Sequence, residues 1–126
     1  MVQAQADSLC MQVELFISGR KLKDLDAFSK SDPRCLVFEK GSDSWREIGR
    51  TEQIQNSLNP DFTTSFTVNY YFERVQNLKF VMIDGDGDRD YDTIGELNCT
   101  MGQLMGARAQ MYTATLTEKN GNGNRG

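Results

Sequence analysis

The sequence predicts an all-β protein, an antiparallel β-sandwich. Short runs of β-branched, aromatic and aliphatic residues recur along the 126-residue chain, and Gly, Pro, Asn and Asp separate them. Several runs alternate apolar with polar residues, which is the period of a strand with one buried face. No segment keeps a helical period over the length of a typical helix. Many short strands with this punctuation favour two packed sheets.

Seven runs qualify as strands: 9–17, 35–39, 45–51, 62–70, 78–83, 94–100 and 111–116. The run 9–17 alternates strictly, whereas 78–83 is almost entirely apolar, as expected of a strand that is covered on both faces. The run 45–51 also alternates, but its pattern leaves open which face is buried. Two interruptions, 71–76 and 101–106, have room for a helical turn.

One domain fits this length, and we expect it to span 1–118, followed by a flexible Gly/Asn-rich tail or linker at 119–126. The net charge of −4 disfavours nucleic acid as a partner. The absence of histidine removes the commonest general base and transition-metal ligand, so we expect no enzyme. Three scattered cysteines without a CxxC pair, and no signal-peptide-like or membrane-spanning stretch, predict a cytoplasmic protein.

The most informative segment is 83–92, Ile-Asp-Gly-Asp-Gly-Asp-Arg-Asp-Tyr-Asp, in which aspartates occupy every second position. In a continuous strand their carboxylates would share one face and repel one another. Gly85 and Gly87 instead suit a loop that folds back. Clustered carboxylates without soft ligands favour a hard cation, Ca²⁺ before Mg²⁺, because Ca²⁺ accepts oxygen ligands in irregular geometry. A solvated acidic loop tip remains the alternative.

An EF-hand does not fit this segment. A twelve-residue loop that starts at Asp84 puts Arg89 at the invariant glycine position and Gly95 at the bidentate glutamate position. The flanking segment is also strand-like, whereas an EF-hand needs helices on both sides.

A second acidic segment, 25–33, joins the first two predicted strands and carries Asp26 and Asp32. Alternate connections of a sandwich emerge at the same end, so this segment and 84–92 have the topology to face each other. Two carboxylates from one loop and three from the other would form a divided cage that is open at the top.

These motifs resemble the C2 domain of Ca²⁺- and phospholipid-binding proteins. The matching residues are Asp26, Ser-Asp-Pro at 31–33, Leu-Asn-Pro-x-Phe at 58–62, Asp-x-Asp at 84–86 and Asp-x-Ile-Gly-Glu at 92–96. More narrowly, the segments 29–33, 50–60, 70–80 and 95–100 are similar to the first C2 domain of a copine. The resemblance covers residues 9–116.

The resemblance implies Ca²⁺-triggered binding to anionic membranes, two Ca²⁺ ions, recruitment from the cytoplasm when Ca²⁺ rises, and protein partners alongside. Its implied side-chain ligands are Asp26, Asp32, Asp84, Asp86 and Asp92, with Asp32 and Asp86 between the ions, main-chain carbonyls of Leu25 and Gly85, and Asp90 as an additional candidate. Membrane contact is expected at Phe28, Lys30 and Arg89.

The sequence departs from that pattern in several places. Arg89 stands where some relatives carry a Ser or Thr ligand to a further ion, and Asp88 stands where a loop tip is often apolar. The loop at 84–92 is shorter than the corresponding loop of most copines. An eighth strand, a second C2 domain and a von Willebrand A-like domain are not in the sequence. Two other classes stay open: a protein-interaction sandwich that binds no metal, and a metal-dependent hydrolase.

Overall fold

Six antiparallel strands and one short helix make up the part of the chain that the structure describes. The structure is a computed structural model, and it describes residues 10–24, 31–88, 91–107 and 111–117. The elements are β1 (Cys10–Ser18), β2 (Pro33–Lys40), β3 (Trp45–Arg50), β4 (Asp61–Tyr71), β5 (Asn77–Gly85), β6 (Tyr91–Thr100) and α1 (Met101–Met105). The predicted all-β, antiparallel architecture is confirmed.

The strands form two sheets that enclose one apolar core. β1 pairs with β4, and the second sheet has the order β3-β2-β5-β6. Val37 and Ile94 of the larger sheet are fully buried, and they belong to the same cluster as Phe62 and Phe66 of β4. Alternate residues of β4 are buried because strand side chains point to opposite faces in turn. The fold is therefore a β-sandwich.

The buried face of β3 is decided by tertiary contacts. A Cβ added to Gly49 would lie 2.6 Å from the Phe66 ring, so this position faces β4 closely. Ile48, the next residue along, also packs against the core. A register irregularity between Val37 and Phe38 in the β2–β3 pairing accompanies this breach of strict alternation.

The prediction of a seventh strand at 111–116 is wrong. Within the described residues this segment joins no ladder, and only Thr117 pairs with β6, through two hydrogen bonds of 2.7 and 2.9 Å with the main chain of Glu96. Met111 is 73% exposed, whereas Leu116 is buried. An apolar, β-prone run becomes a strand only where a neighbouring edge pairs with it, and the sequence does not reveal the partner.

The two interruptions behave differently. Residues 101–106 contain α1, which begins with a capping box: the Gln103 amide donates to Thr100 Oγ1 at 3.1 Å, and the Thr100 amide donates to Gln103 Oε1 at 2.9 Å. Residues 71–76 form a hydrogen-bonded turn without a helix, closed by the Arg74 amide on the Tyr71 carbonyl. In the part of the chain described, no helix has the length and apolar character needed to cross a bilayer. The predicted tail at 119–126 lies outside that part.

Candidate metal centre

Three aspartates lie at one end of the four-stranded sheet because neighbouring antiparallel strands start and stop there. In the central strand β5, Asp84 lies between Pro33 of β2 and Asp92 of β6. Asp32 comes immediately before β2, so it reaches the same end. Two carboxylate residues directly opposite each other in a ladder, as Asp84 and Asp92 are, destabilise the sheet through like-charge repulsion. A cation at this end would relieve that repulsion.

Hydrogen bonds join the two acidic segments directly. The Asp32 amide donates to Asp84 Oδ1 at 2.8 Å, and the Gly85 amide donates to the Asp32 carbonyl at 3.3 Å. The first bond uses one lone pair of the Asp84 carboxylate and orients its remaining acceptor positions. These two bonds hold Asp32 next to the end of β5.

The connection 51–60 supports Asp32 from the other side. The Asn56 amide donates to Asp32 Oδ1 at 2.6 Å, and Gln53 Nε2 donates to the Asp32 carbonyl at 3.3 Å. Asn56 has a φ of 57°, a left-handed conformation that asparagine tolerates better than most residues. The sequence did not predict a role for Gln53 or Asn56, although an asparagine inside a turn-rich connection is a signal that was available.

The segment after β5 folds back, as its glycines predicted. Gly85 and Gly87 have φ values of 132° and 94°, a region that side chains with a Cβ rarely adopt. Asp86 Oδ1 accepts a hydrogen bond of 2.9 Å from the Asp88 amide, which tightens the reversal. β5 and β6 pair with each other, so Asp84 and Asp92 lie opposite each other at the end of this ladder, and Asp86 and Asp88 lie in the turn that follows β5.

Two arginines contact this turn, and neither contact was predicted from the sequence. Arg34 Nη1 donates to the Asp86 carbonyl at 2.7 Å, and Arg50 Nη1 lies 3.2 Å from Asp88 Oδ1. No local signal in the sequence identifies these contacts, because they depend on strand pairing.

The predicted ligands divide into two groups. Asp32, Asp84 and Asp92 are brought to one end of the sheet, and Asp86 follows in the turn after β5. Within the described ranges, no three Asp, Glu or Cys side chains are grouped closely enough to bind one metal ion. The other predicted site residues lie outside the described residues: Leu25, Asp26, Phe28, Lys30, Arg89 and Asp90. All the available donors are oxygens, which fits Ca²⁺ in chemical type.

A two-layer β-sandwich with an acidic end defines the class of protein, and the chain belongs to the C2 domain family, which matches residues 11–116. Within that family, it is 45% identical to copine-E of Dictyostelium discoideum over 105 residues and 43% identical to copine-A over 111 residues. These alignments cover 78% and 87% of this chain. The chain is consistent with a C2 domain of a copine. Its assignment to the first such domain stays a prediction.

The chain spans 18% of the length of each of these two copines. Among solved structures, it is similar to BON1-C2B, with a TM-score of 0.73, 19% identity, and coverage of 99% of this chain and 88% of that one. A calcium-bound pair of C2 domains from Extended-Synaptotagmin 2 matches with a TM-score of 0.58 and 20% identity, over 76% of this chain and 35% of that one. These likenesses confirm the fold. Binding of Ca²⁺ and of phospholipid is a general property of the C2 family.

Proposed function

We propose that the acidic end of this domain binds Ca²⁺ and thereby attaches the protein to anionic phospholipid membranes. The observation that carries the proposal is the placement of Asp32, Asp84 and Asp92 at one sheet end, where the Asp32 amide donates to Asp84 Oδ1 at 2.8 Å. Membership of the C2 family supports the same function. Like charges opposite each other destabilise a ladder, and a bound cation would offset that cost.

The proposed ligands are five aspartate side chains, two main-chain carbonyls and, as an additional candidate, a sixth aspartate. They are Asp26, Asp32, Asp84, Asp86 and Asp92 through side chains, Leu25 and Gly85 through carbonyls, and Asp90. We propose two ions, shared by Asp32 and Asp86. Bound Ca²⁺ would supply positive charge and open coordination positions for lipid phosphate or carboxylate oxygens.

The charge of the site explains how Ca²⁺ would control attachment to the membrane. Without cations, the aspartates give this end a negative field that repels anionic lipid within about 8 Å at physiological salt. Two Ca²⁺ ions carry four positive charges against the five aspartates. The repulsion is then largely cancelled, and Asp32 and Asp84 need little movement of the backbone because a hydrogen bond already holds them together.

We further propose that the domain extends over 1–118, works in the cytoplasm as a binding module and not as an enzyme, and moves to membranes when Ca²⁺ rises. Phe28, Lys30 and Arg89 are the proposed membrane contacts. Tyr91, which begins β6, is 43% exposed at the same end and has the amphipathic ring that suits a membrane interface.

Sedimentation with phosphatidylserine vesicles over a Ca²⁺ titration tests the function. We expect Asp32→Asn and Asp86→Asn each to abolish Ca²⁺-dependent binding, because each removes charge from a ligand shared by two ions. The matched control is Asp43→Asn in the exposed β2–β3 connection, at the far end of β2 from Pro33, and it should bind as the wild type does.

If the wild type shows no Ca²⁺ binding by calorimetry and no Ca²⁺-dependent sedimentation with vesicles, the result would favour a protein-interaction sandwich that binds no metal. Hydrolysis of a phosphodiester substrate with Mg²⁺ or Mn²⁺, lost in Asp86→Asn but retained in Asp43→Asn, would favour the hydrolase instead. Binding by Asp86→Asn at the wild-type Ca²⁺ concentration would contradict the ligand assignment.

A further inference from the structure

The acidic hairpin tip, residues 85–88, packs against the outer face of the four-stranded sheet. A Cβ added to Gly87 would lie 3.0 Å from Arg50 Nη1, 3.2 Å from Ile83 Cδ1 and 3.5 Å from Leu36 Cδ2. The φ of 94° at Gly87 excludes most other residues in any case. The tip is therefore in close contact with the sheet beneath it.

Two guanidinium groups hold the main chain of the tip in that position. The Asp86 carbonyl accepts from Arg34 Nη1 at 2.7 Å and from Arg50 Nη1 at 3.4 Å. The same Arg50 nitrogen donates to Asp88 Oδ1 at 3.2 Å. The Asp86 carbonyl belongs to the peptide bond between Asp86 and Gly87. These contacts therefore orient that peptide, and with it the backbone from which the Asp86 side chain extends.

Arg50 is itself held rigidly from the sheet side. Its Nε lies 2.8 Å from Glu47 Oε2, and its Nη2 lies 3.0 Å from Glu47 Oε1, which is a two-pronged contact. Hydrogen bonding to the Glu47 carboxylate is the main cause that raises the pKa of Arg50. Because the Glu47 charge offsets the Arg50 charge, the influence of this pair on the tip comes mainly from geometry.

We propose that Arg50 is a positioning residue for the metal centre: it orders the hairpin tip in the Ca²⁺-free protein and so strengthens Ca²⁺ binding. This inference rests on the proposed Ca²⁺ function. A tip that is already ordered loses less conformational entropy when its carboxylates take up an ion. A lysine cannot replace Arg50, because one ammonium lacks the fork that contacts Glu47, Asp86 and Asp88 together.

Calorimetric titration with Ca²⁺ alone separates positioning from simple charge. We expect Arg50→Lys and Arg50→Gln both to weaken Ca²⁺ binding about tenfold, as loss of a residue that orients metal ligands does. The matched control is Arg46→Lys, since Arg46 pairs with Glu39 at 3.4 Å and is 75% exposed. Unchanged affinity in Arg50→Lys together with tighter binding in Arg50→Gln would show a pure charge effect and overturn the inference, as would unchanged affinity in both.

Hydrogen exchange without Ca²⁺ gives a readout that does not depend on metal binding. We expect faster exchange of the amides of 86–88 in Arg50→Lys, with the paired amides of β5 at 78–83 unchanged. Faster exchange throughout the sheet would mean a general structural role and would overturn the inference. If the wild type binds no Ca²⁺, the proposed function and the effect on affinity both fail, while the exchange experiment still decides whether Arg50 orders the tip.

A double-mutant cycle tests the link between Arg50 and Asp88. If Asp88 acts through Arg50, Asp88→Asn weakens Ca²⁺ binding in the wild type but adds little in the Arg50→Lys background. Fully additive losses would make Asp88 an independent ligand and would remove it from the positioning contact.

Discussion

Glu52 and Asp84 both accept backbone amides from another segment of the chain, but they do so in different ways. The two oxygens of Glu52 accept from the Thr63 amide and hydroxyl at 2.7 and 2.9 Å and from the Thr64 amide at 3.1 Å. Within the described residues, Asp84 accepts one amide, that of Asp32. Glu52 lies in the 51–60 connection, outside the ladders, whereas Asp84 lies opposite Asp92 in the β5–β6 ladder.

Glu52 is thus a structural carboxylate, whereas Asp84 is suited to bind a cation. Hydrogen bonding from the Thr63 amide, followed by Thr64, lowers the pKa of Glu52 to about 2. Its acceptor capacity is directed at the start of β4, so it joins the 51–60 connection to that strand. Asp84 is oriented by one bond and retains acceptor positions near other carboxylates, and this is the arrangement that a cation can use.

The largest expected difference between the two regions is in the response to Ca²⁺. At a free Ca²⁺ concentration about 100 times Kd, the wild type should gain about 2.7 kcal/mol of unfolding free energy, because the ion binds only the folded state. Asp84→Asn should lose this gain, since the amide oxygen still accepts from Asp32 but the charge is removed. Thermal melts with Ca²⁺ and with chelator measure the shift.

Glu52→Gln is the control for that experiment, and we expect it to keep the full Ca²⁺-dependent shift. A wild-type melting curve that does not move at millimolar Ca²⁺ would contradict the metal centre. A shift that persists in Asp84→Asn would contradict the role given to this residue.

The next effect concerns stability without Ca²⁺. Glu52→Gln should cost about 1–2 kcal/mol, because the amide of glutamine would place a donor where the strand also presents donors. Urea denaturation at neutral pH with chelator measures this, and Glu73→Gln in the exposed turn provides the comparison. Asp84→Asn, in contrast, should leave stability nearly unchanged or raise it, since it removes repulsion from Asp92.

The pH dependence of the Glu52 effect has a definite sign. The folded-state pKa of about 2 lies below the ordinary value of 4.5, so the stabilisation is present above pH 4.5 and is lost as the pH falls toward 2. The difference between wild type and Glu52→Gln should therefore narrow over this range. A constant difference down to about pH 2.5 would show that the charge of Glu52 is irrelevant.

The smallest expected effect is that of an apolar membrane contact. Phe28→Ala should weaken vesicle binding only modestly, because even a fully inserted ring contributes at most a few kcal/mol. Binding at saturating Ca²⁺ should instead fall strongly with ionic strength, since screened attraction to headgroups carries most of the affinity. Vesicle binding that does not change with salt but is largely lost in Phe28→Ala would show that the apolar contact, and not electrostatic attraction, carries most of the affinity.

Much of the fold and part of the site could be predicted from the sequence. Period-two alternation in β4 and the apolar run of β5 identify strands because burial on a pleated surface leaves a local pattern. Gly85 and Gly87 indicate a reversal because a positive φ is a local steric property. The aspartates predict a hard cation as the ligand, because carboxylate oxygens prefer such ions.

Tertiary structure alone decided the rest. Which edges pair decided that both Ile48 and Gly49 contact the core and that 111–116 does not form a strand. Other interactions join residues that are 24 to 52 positions apart. They are the contacts of Arg34 and Arg50 with the acidic tip and the hydrogen bond from the Asn56 amide to Asp32. Such contacts leave no periodic or local signature, because they arise from the register between strands and not from the preferences of neighbouring residues.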